Sequence, residues 1–424
     1  MNQNNPIDAR KNSLGRRQLL GGIAGGAVAF AASPLLAACA SSSKSSGGSG
    51  GSDGLTLGIS VPTSGVVASS YAPIFANAYF GISTINKSGG VLGKQIKTLK
   101  VNDDGTPEGA VSAVRQLYSD GIGYIIGPLG NSATAAAIPV SNRYKMIQCG
   151  ASSDDSTGDS TKYPYTFRNG VTNTQEGLAL ANFVVKSLKM TKIGYLAENS
   201  TLGSGLLAVI GPQIKSLGAS IVKTQSYDTT VTDFLPYVQN LKNAGAQVII
   251  AAVGNIPNTT GMFQALDSLN WHPPIVGHPA LLFPPVLQAK TVTPYLDDVY
   301  SISFTNFTWT GSGDVPDISL KFLQDFTAFD SQVSSLGQIG CTIGWYDFLT
   351  ILKAAIERAK TTEVAAVLNA LNQTSNQVTL TGTWSYSKAS HIGIHDGSVA
   401  IAKLSSISDP RSKNGIFFEN APIL

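Results

Sequence analysis

Two doubly wound α/β lobes are the fold class that this sequence predicts, and three observations predict them. From Leu55 onward, short apolar runs alternate with amphipathic stretches of helical period, the pattern of βαβ units and parallel sheets. The runs fall into two successive series, one for each lobe. A chain of 424 residues, 43% hydrophobic and only 13% charged, has material for two or three domains with ample core.

The same composition excludes several classes. Scarce charge and 44 glycines rule out a coiled coil or a charged disordered tail. The net charge of +3 lies wholly in residues 1–38, where Arg10, Lys11, Arg16 and Arg17 stand against Asp8, so the rest is neutral. A neutral body has no basic stripe for phosphates, and no nucleic-acid partner is expected. Three cysteines over this length do not make a disulfide framework.

The N-terminus reads as an address. A polar, basic start gives way to an apolar run from Leu19 to Ala32 and then to small residues, the layout of an export signal. Arg16-Arg17-Gln18-Leu19-Leu20 resembles the twin-arginine export motif, and Leu36-Ala37-Ala38-Cys39 resembles the bacterial lipobox. Those resemblances imply a signal over 1–38, cleavage before Cys39, lipid on its thiol and anchoring to the outer face of the cytoplasmic membrane. A retained membrane span over Leu19–Ala38 is the alternative, but Pro34 and four glycines interrupt it. Residues 39–54 follow as a tether. Of residues 40–54, 12 of 15 are Ser or Gly, a flexible coil with a reach of roughly 20 Å.

In the first series, strands are expected at Leu55–Val61, Ile96–Asn102, Ile122–Gly127 and Met146–Cys149, with helical stretches at Tyr71–Lys87 and Pro107–Ser119. The second series has strands at Lys192–Ala197, Ala219–Thr224, Gln247–Val253 and Pro274–Gly277. Its helical stretches are Asn173–Leu188, Gly205–Leu217 and Val231–Ala244, and a long one at Gly340–Lys360 should return to the first lobe. Ligands of such sheets lie beyond the carboxyl ends of the strands. The loops there are Ser64-Gly65 with Tyr71 close behind, Gly127 to Thr134, and Gly150-Ala151-Ser152-Ser153. Small hydroxyl residues and free N–H groups at a helix start suit a carboxylate or other small anion. Ordinary N-capping by Asn131, Ser132 and Ser152 explains the same residues equally well.

An ordered set of segments carries a family resemblance: Asn86-Lys87-Ser88-Gly89-Gly90-Val91-Leu92-Gly93-Lys94, Asp103-Asp104-Gly105-Thr106-Pro107, Gly123-Tyr124-Ile125-Ile126-Gly127-Pro128, and Lys145 through Ser152. In order and spacing it resembles the leucine/isoleucine/valine-binding protein family with the type I periplasmic-binding-protein fold. The resemblance is strongest over Leu55–Asp155 and weaker after Ala280. It implies Rossmann-like lobes joined by a three-stranded hinge, with crossovers near Phe167–Gly170, Tyr300–Phe304 and Asn376–Leu380. Lobe one is then 55–168 plus 303–377, and lobe two is 169–302 plus 378–424. It further implies a monomer that captures a small molecule between the lobes and delivers it to the permease subunits of an ABC importer, with no cofactor.

The resemblance also assigns the site. The loop matching Leu129, Gly130, Asn131 and Ser132 holds a ligand carboxylate. The loop matching Gly150, Ala151 and Ser152 supplies a carbonyl and a hydroxyl. On lobe two, Leu202 stands where an aromatic is common, and Asn255 follows Gly254 where another is found. His278 and Pro279 stand where an acid for an ammonium is expected. With no acid at that position, an amide or simple carboxylate is favoured over an aliphatic amino acid, unless Glu198 or Asp228 supplies the charge.

No nucleophile elbow, Walker A loop or Cys–His pair is visible, so no enzyme is expected. His391 and His395 lie four apart, but their Ile-Gly-Ile spacer reads as strand or turn, and no metal site is expected. Cys149 and Cys341 read as buried thiols. Phe304, Phe307 and Trp309 suit either hinge packing or cleft lining. A ligand sensor of the same fold, signalling to a protein partner, is the alternative function.

Overall fold

The computed structural model describes residues 54–65, 67–329 and 344–423. The leader, Cys39, the tether up to Asp53, and Cys341 all lie outside the described residues. Among the described residues no helix is long and apolar enough to cross a membrane.

The first sheet is parallel in the order β2-β1-β3-β4-β5, built from β1 (Thr56–Val61), β2 (Lys97–Asn102), β3 (Tyr124–Leu129), β4 (Ile147–Ala151) and β5 (Thr166–Arg168). The second continues the same logic with β6 (Lys192–Glu198), β7 (Ser220–Tyr227), β8 (Val248–Ala252), β9 (Ile275–Gly277) and β10 (Val299–Phe304) in the order β7-β6-β8-β9-β10. Helices cover both faces, so the central strands read as unbroken apolar runs; every residue of β8 is buried. Both sheets reverse direction beside their first strand, between β1 and β3 and between β6 and β8. These are the switch points where doubly wound sheets open a crevice.

Local chemistry moves some helix ends. The helix expected from Gly205 begins at Thr201, because the Ser200 hydroxyl caps it by accepting from the Leu202 N–H at 3.1 Å. The one expected from Val231 begins only at Leu235, with Pro236 in its first turn. Helix Asn173–Asn182 starts on a reciprocal Thr172–Gln175 capping box and then widens into Phe183–Ser187.

The chain returns differ from the expected boundaries. β10 pairs in register with antiparallel β15 (Val399–Lys403), and β16 (Phe418–Asn420) pairs with the short β11 (Thr308–Trp309), so residues to Trp309 stay with the second sheet. Helix Asp317–Phe329 packs on the first lobe through Phe322 and Phe326 against Phe80. A small sheet of β12 (Gln377–Val378), β13 (Thr383–Ser387) and β14 (Ser390–Ile394) also belongs there rather than to lobe two. Its Tyr386 hydroxyl donates to the Arg168 carbonyl at 2.7 Å, and His391 stacks on Phe167 with Nδ1 2.8 Å from the Thr166 carbonyl. The last crossover therefore lies between Ile394 and Val399, not near Asn376–Leu380.

Burial pushes the His391 pKa down to about 4, and His395 is exposed beside Ser385, so the two do not converge. Among the described residues no group of three metal-ligating side chains exists. Phe307 and Trp309 pack in the core, under Phe417 and the Arg411 guanidinium.

Candidate functional site

A cleft of about 890 Å³, partly open to solvent, lies where the carboxyl ends of both sheets face each other. Lobe one builds its floor from the end of β3. Gly130 holds φ +104°, a conformation only glycine adopts easily, and donates its N–H to the Ala151 carbonyl at 3.0 Å. A Cβ there would meet the Tyr71 ring at 3.3 Å. Helix Asn131–Arg143 then begins with no side chain capping it, so its first N–H groups are open to an anion.

Asn131 does not point a free amide at the cleft. Its Oδ1 accepts from the Ser153 N–H at 2.9 Å and its Nδ2 donates to the Ser153 hydroxyl at 3.1 Å, which clamps the β3 loop to the β4 loop. Ser152 accepts from the Asp154 N–H at 3.1 Å and keeps its own hydroxyl hydrogen to donate. Lobe one thus offers helix N–H groups and one hydroxyl beside the apolar Leu129, Ala151 and Tyr71.

Lobe two faces this with Leu202, Pro279, Ala280 and a carboxylate. Glu198 ends β6 and is 9% exposed. It accepts from the Ser200 hydroxyl at 2.6 Å and from the Gly254 N–H, and a Cβ at Gly254 would stand 2.7 Å from its Oε2. Burial raises its pKa, against the lowering by Ser200, His278 and Gly254. His278 places Nδ1 2.9 Å from the carboxylate of Glu176, which is fully buried on helix Asn173–Asn182. Burial alone would lower the His278 pKa; Glu176, with Glu198 beyond it, outweighs that and the pKa is raised. Burial also raises the Tyr71 phenol, helped by Glu198.

Nine of the expected residues therefore surround one cleft: Tyr71, Leu129, Gly130, Asn131, Ala151, Ser152, Leu202, His278 and Pro279. Four do not line it. Ser64 is exposed away from the lining residues, where it donates to Asp104 and accepts from Asn102 Nδ2 at 2.8 Å. Ser132 is the second residue of helix Asn131–Arg143 and is not among the lining residues. Gly150 packs against Thr134, whose Cγ2 would be 2.6 Å from a Cβ there. Asn255 caps helix Ile256–Ser268, accepting from the Asn258 N–H at 2.9 Å.

The expectation of a cleft without an acid is corrected. Glu198 supplies one from the end of β6, and Glu176 a second beneath His278; Asp228 instead caps its own turn at Thr230. The hinge adds Asn169, Val171, Ser303 and Phe304, of which only Phe304 stood out in the sequence.

Comparison with known proteins agrees with this architecture. The periplasmic binding protein family model matches residues 54–408. The Leu/Ile/Val-binding protein homolog 3 of Brucella melitensis is 26% identical over 341 residues, covering 79% of this chain and 87% of that protein. A type 1 periplasmic binding protein from Bordetella pertussis superposes with a TM-score of 0.76 at 19% identity, over 87% of this chain and 100% of that one. The branched-chain amino acid transporter substrate-binding protein LivJ of Streptococcus pneumoniae, solved in complex with isoleucine, gives 0.68 at 20% identity, over 82% and 98%. The chain belongs to the periplasmic binding protein family, with its type I fold and homology to the Leu/Ile/Val-binding proteins.

Proposed function

We propose that this protein is the lipid-anchored solute receptor of an ABC importer, taking a small amino-acid-like, amide or carboxylate ligand between its lobes and passing it to a permease. The family and fold are those of extracytoplasmic substrate-binding proteins rather than enzymes. One observation carries the ligand reading: an uncapped helix N-terminus and the Ser152 hydroxyl on one lobe face a buried polar cluster on the other, across apolar walls. Such a cleft suits a compact molecule with a carboxylate or amide at one end.

A thermal-shift screen of amino acids, amides and carboxylates tests the reading. A ligand at 100 times its Kd stabilises the folded protein by about 2.7 kcal/mol, a shift of several degrees. A screen in which none of these classes raises the melting temperature refutes it.

The anchor rests on Leu36-Ala37-Ala38-Cys39 and on the Ser/Gly tether behind it. A Cys39→Ser variant is expected in the soluble fraction, with the melting temperature of the body unchanged. If the variant still sediments with membranes, an uncleaved apolar segment holds it instead.

A further inference from the structure

We propose that His278 selects the ligand by its far end: its Nε2–H, held ready by the Glu176 carboxylate behind the ring, donates to a carbonyl oxygen, and the cleft takes a small oxo acid. The proposal rests on the cleft reading given under Proposed function and narrows it. Glu176 is a positioning residue that acts only through His278.

The ring's two nitrogens are the first ground. His278 lies on the cleft wall with its side chain 23% exposed, whereas Glu176 behind it is fully buried and does not line the cleft. The two oxygens of Glu176 stand 2.9 and 3.1 Å from Nδ1, so that edge of the ring is spent. A carboxylate only accepts, so Nδ1 carries the proton in this contact. The choice is thereby left to Nε2, a bare lone pair on the neutral ring and an N–H donor on the protonated one. Among the described residues no protein group hydrogen-bonds to Nε2.

The surrounding charges decide between those two states. The other titratable groups near the pair are Glu198 and Tyr195 on β6, Tyr227 at the end of β7 and Tyr71 from lobe one. Burial raises all three phenols, which stay neutral. Glu176 and Glu198 together outweigh the burial of the ring and favour its protonated form. Glu198 also makes this wall unfavourable to a second ligand carboxylate, since neither Lys nor Arg lines the cleft to offset it. A neutral oxygen meets no such repulsion.

Ser303 is the second, independent observation. It lines the cleft, is 2% exposed, and its hydroxyl has no hydrogen-bond partner. Its strand runs beside the His278 loop: Gly277 pairs with Ser301, whose hydroxyl donates to the His278 carbonyl at 3.3 Å. An open imidazole N–H and a buried hydroxyl at this end of the cleft are two donors, which suits the two lone pairs of one carbonyl oxygen. The uncapped helix Asn131–Arg143 and Ser152 on lobe one remain for the carboxylate of the acid.

Matched pairs test the proposal: 4-methylpentanoate with 4-oxopentanoate, and 5-methylhexanoate with 5-oxohexanoate, each pair of one shape with a carbonyl oxygen in place of a methyl group. Binding to the exported protein is measured by calorimetry from mildly acidic to alkaline pH for wild type, Glu176→Gln and His278→Leu. Wild type at the acidic end is expected to bind the oxo member of a pair at least about tenfold more tightly than the other. That preference should fall as pH rises and the ring gives up its proton, because the Nε2 lone pair then repels the carbonyl oxygen. Glu176→Gln keeps the shape and an acceptor for Nδ1–H but not the charge, so its preference should vanish at a lower pH than in wild type. His278→Leu should show no preference at any pH. If neither variant folds, the pH profile of wild type carries the test. Equal or tighter binding of the methyl members by wild type overturns the proposal and leaves the cleft reading intact. So does a preference that is flat with pH, or one that survives in His278→Leu. If no member of either pair binds, the proposal fails, and a blank across the wider screen fails the cleft reading with it.

Discussion

Replacing Asp347 by alanine is expected to lower the free energy of unfolding by about 3–5 kcal/mol at neutral pH. Asp347 is fully buried on helix Gly344–Ala359. Its carboxylate accepts from the N–H groups of Leu380 and Thr381, both at 2.9 Å, and from the Thr381 hydroxyl at 2.5 Å. That hydroxyl in turn accepts from the Trp384 indole at 3.0 Å, and Asn306 donates to the Leu380 carbonyl at 3.0 Å. One carboxylate therefore fixes the segment that leads into the small hinge-side sheet. Alanine leaves these buried donors unpaired, at about 1–3 kcal/mol each.

The pH dependence has a definite sign. Burial pushes the Asp347 pKa up from 3.8 to about 6, against the pull of its hydrogen bonds. Because the folded value exceeds the unfolded one, the stability that Asp347 contributes is full below pH 4 and is lost as pH rises through 6, by about 3 kcal/mol in all. Alanine has no such titration, so the gap between wild type and variant should be wider at pH 4 than at pH 8. Urea unfolding at both pH values checks this. A gap that is constant with pH, or below about 1 kcal/mol, would show that the network is not what holds this segment.

Gly130→Val should cost the site more than the fold. At φ +104° a β-branched side chain is strained by about 1–3 kcal/mol, and its Cβ lands 3.3 Å from the Tyr71 ring. Relief comes by rotating the peptide, which swings the open N–H groups of helix Asn131–Arg143 and moves Tyr71. Affinity for a ligand found in the thermal-shift screen should fall by about 10- to 100-fold while the protein remains folded. Unchanged affinity by calorimetry would mean that this loop does not touch the ligand.

The layered fold was legible because buried parallel strands must be apolar on both faces, and runs such as Val248–Ala252 carry that signal alone. The switch points followed from strand order, and most loop residues placed there do face the cleft. Ser64 and Asn255 misled because N-caps, turns and anion sites draw on the same short polar side chains. Glu198 was legible only as one of two acids, with Asp228, that could supply a charge, since the apolar run of β6 ends at Ala197 and nothing local shows that the acid completing the strand faces the cleft while Asp228 turns away. Glu176 lies 102 positions from His278, and nothing local marks that pair. The hinge-side hairpin packs on β5 through Tyr386 and His391, which read as ordinary strand residues until their partners are known.

In this structure the lobes touch across the cleft: the Ile256 N–H donates to the Ser70 hydroxyl at 3.3 Å, and helix Asn131–Arg143 approaches helix Thr201–Ser216. A ligand held by both lobes gains its full contacts only when they meet, so it should draw them together about the hinge. Small-angle scattering of the exported protein, with and without a saturating ligand from the thermal-shift screen, measures this directly. The radius of gyration with ligand should match that of the structure described here, and without ligand it should be larger. The same radius in both states would contradict capture between the lobes.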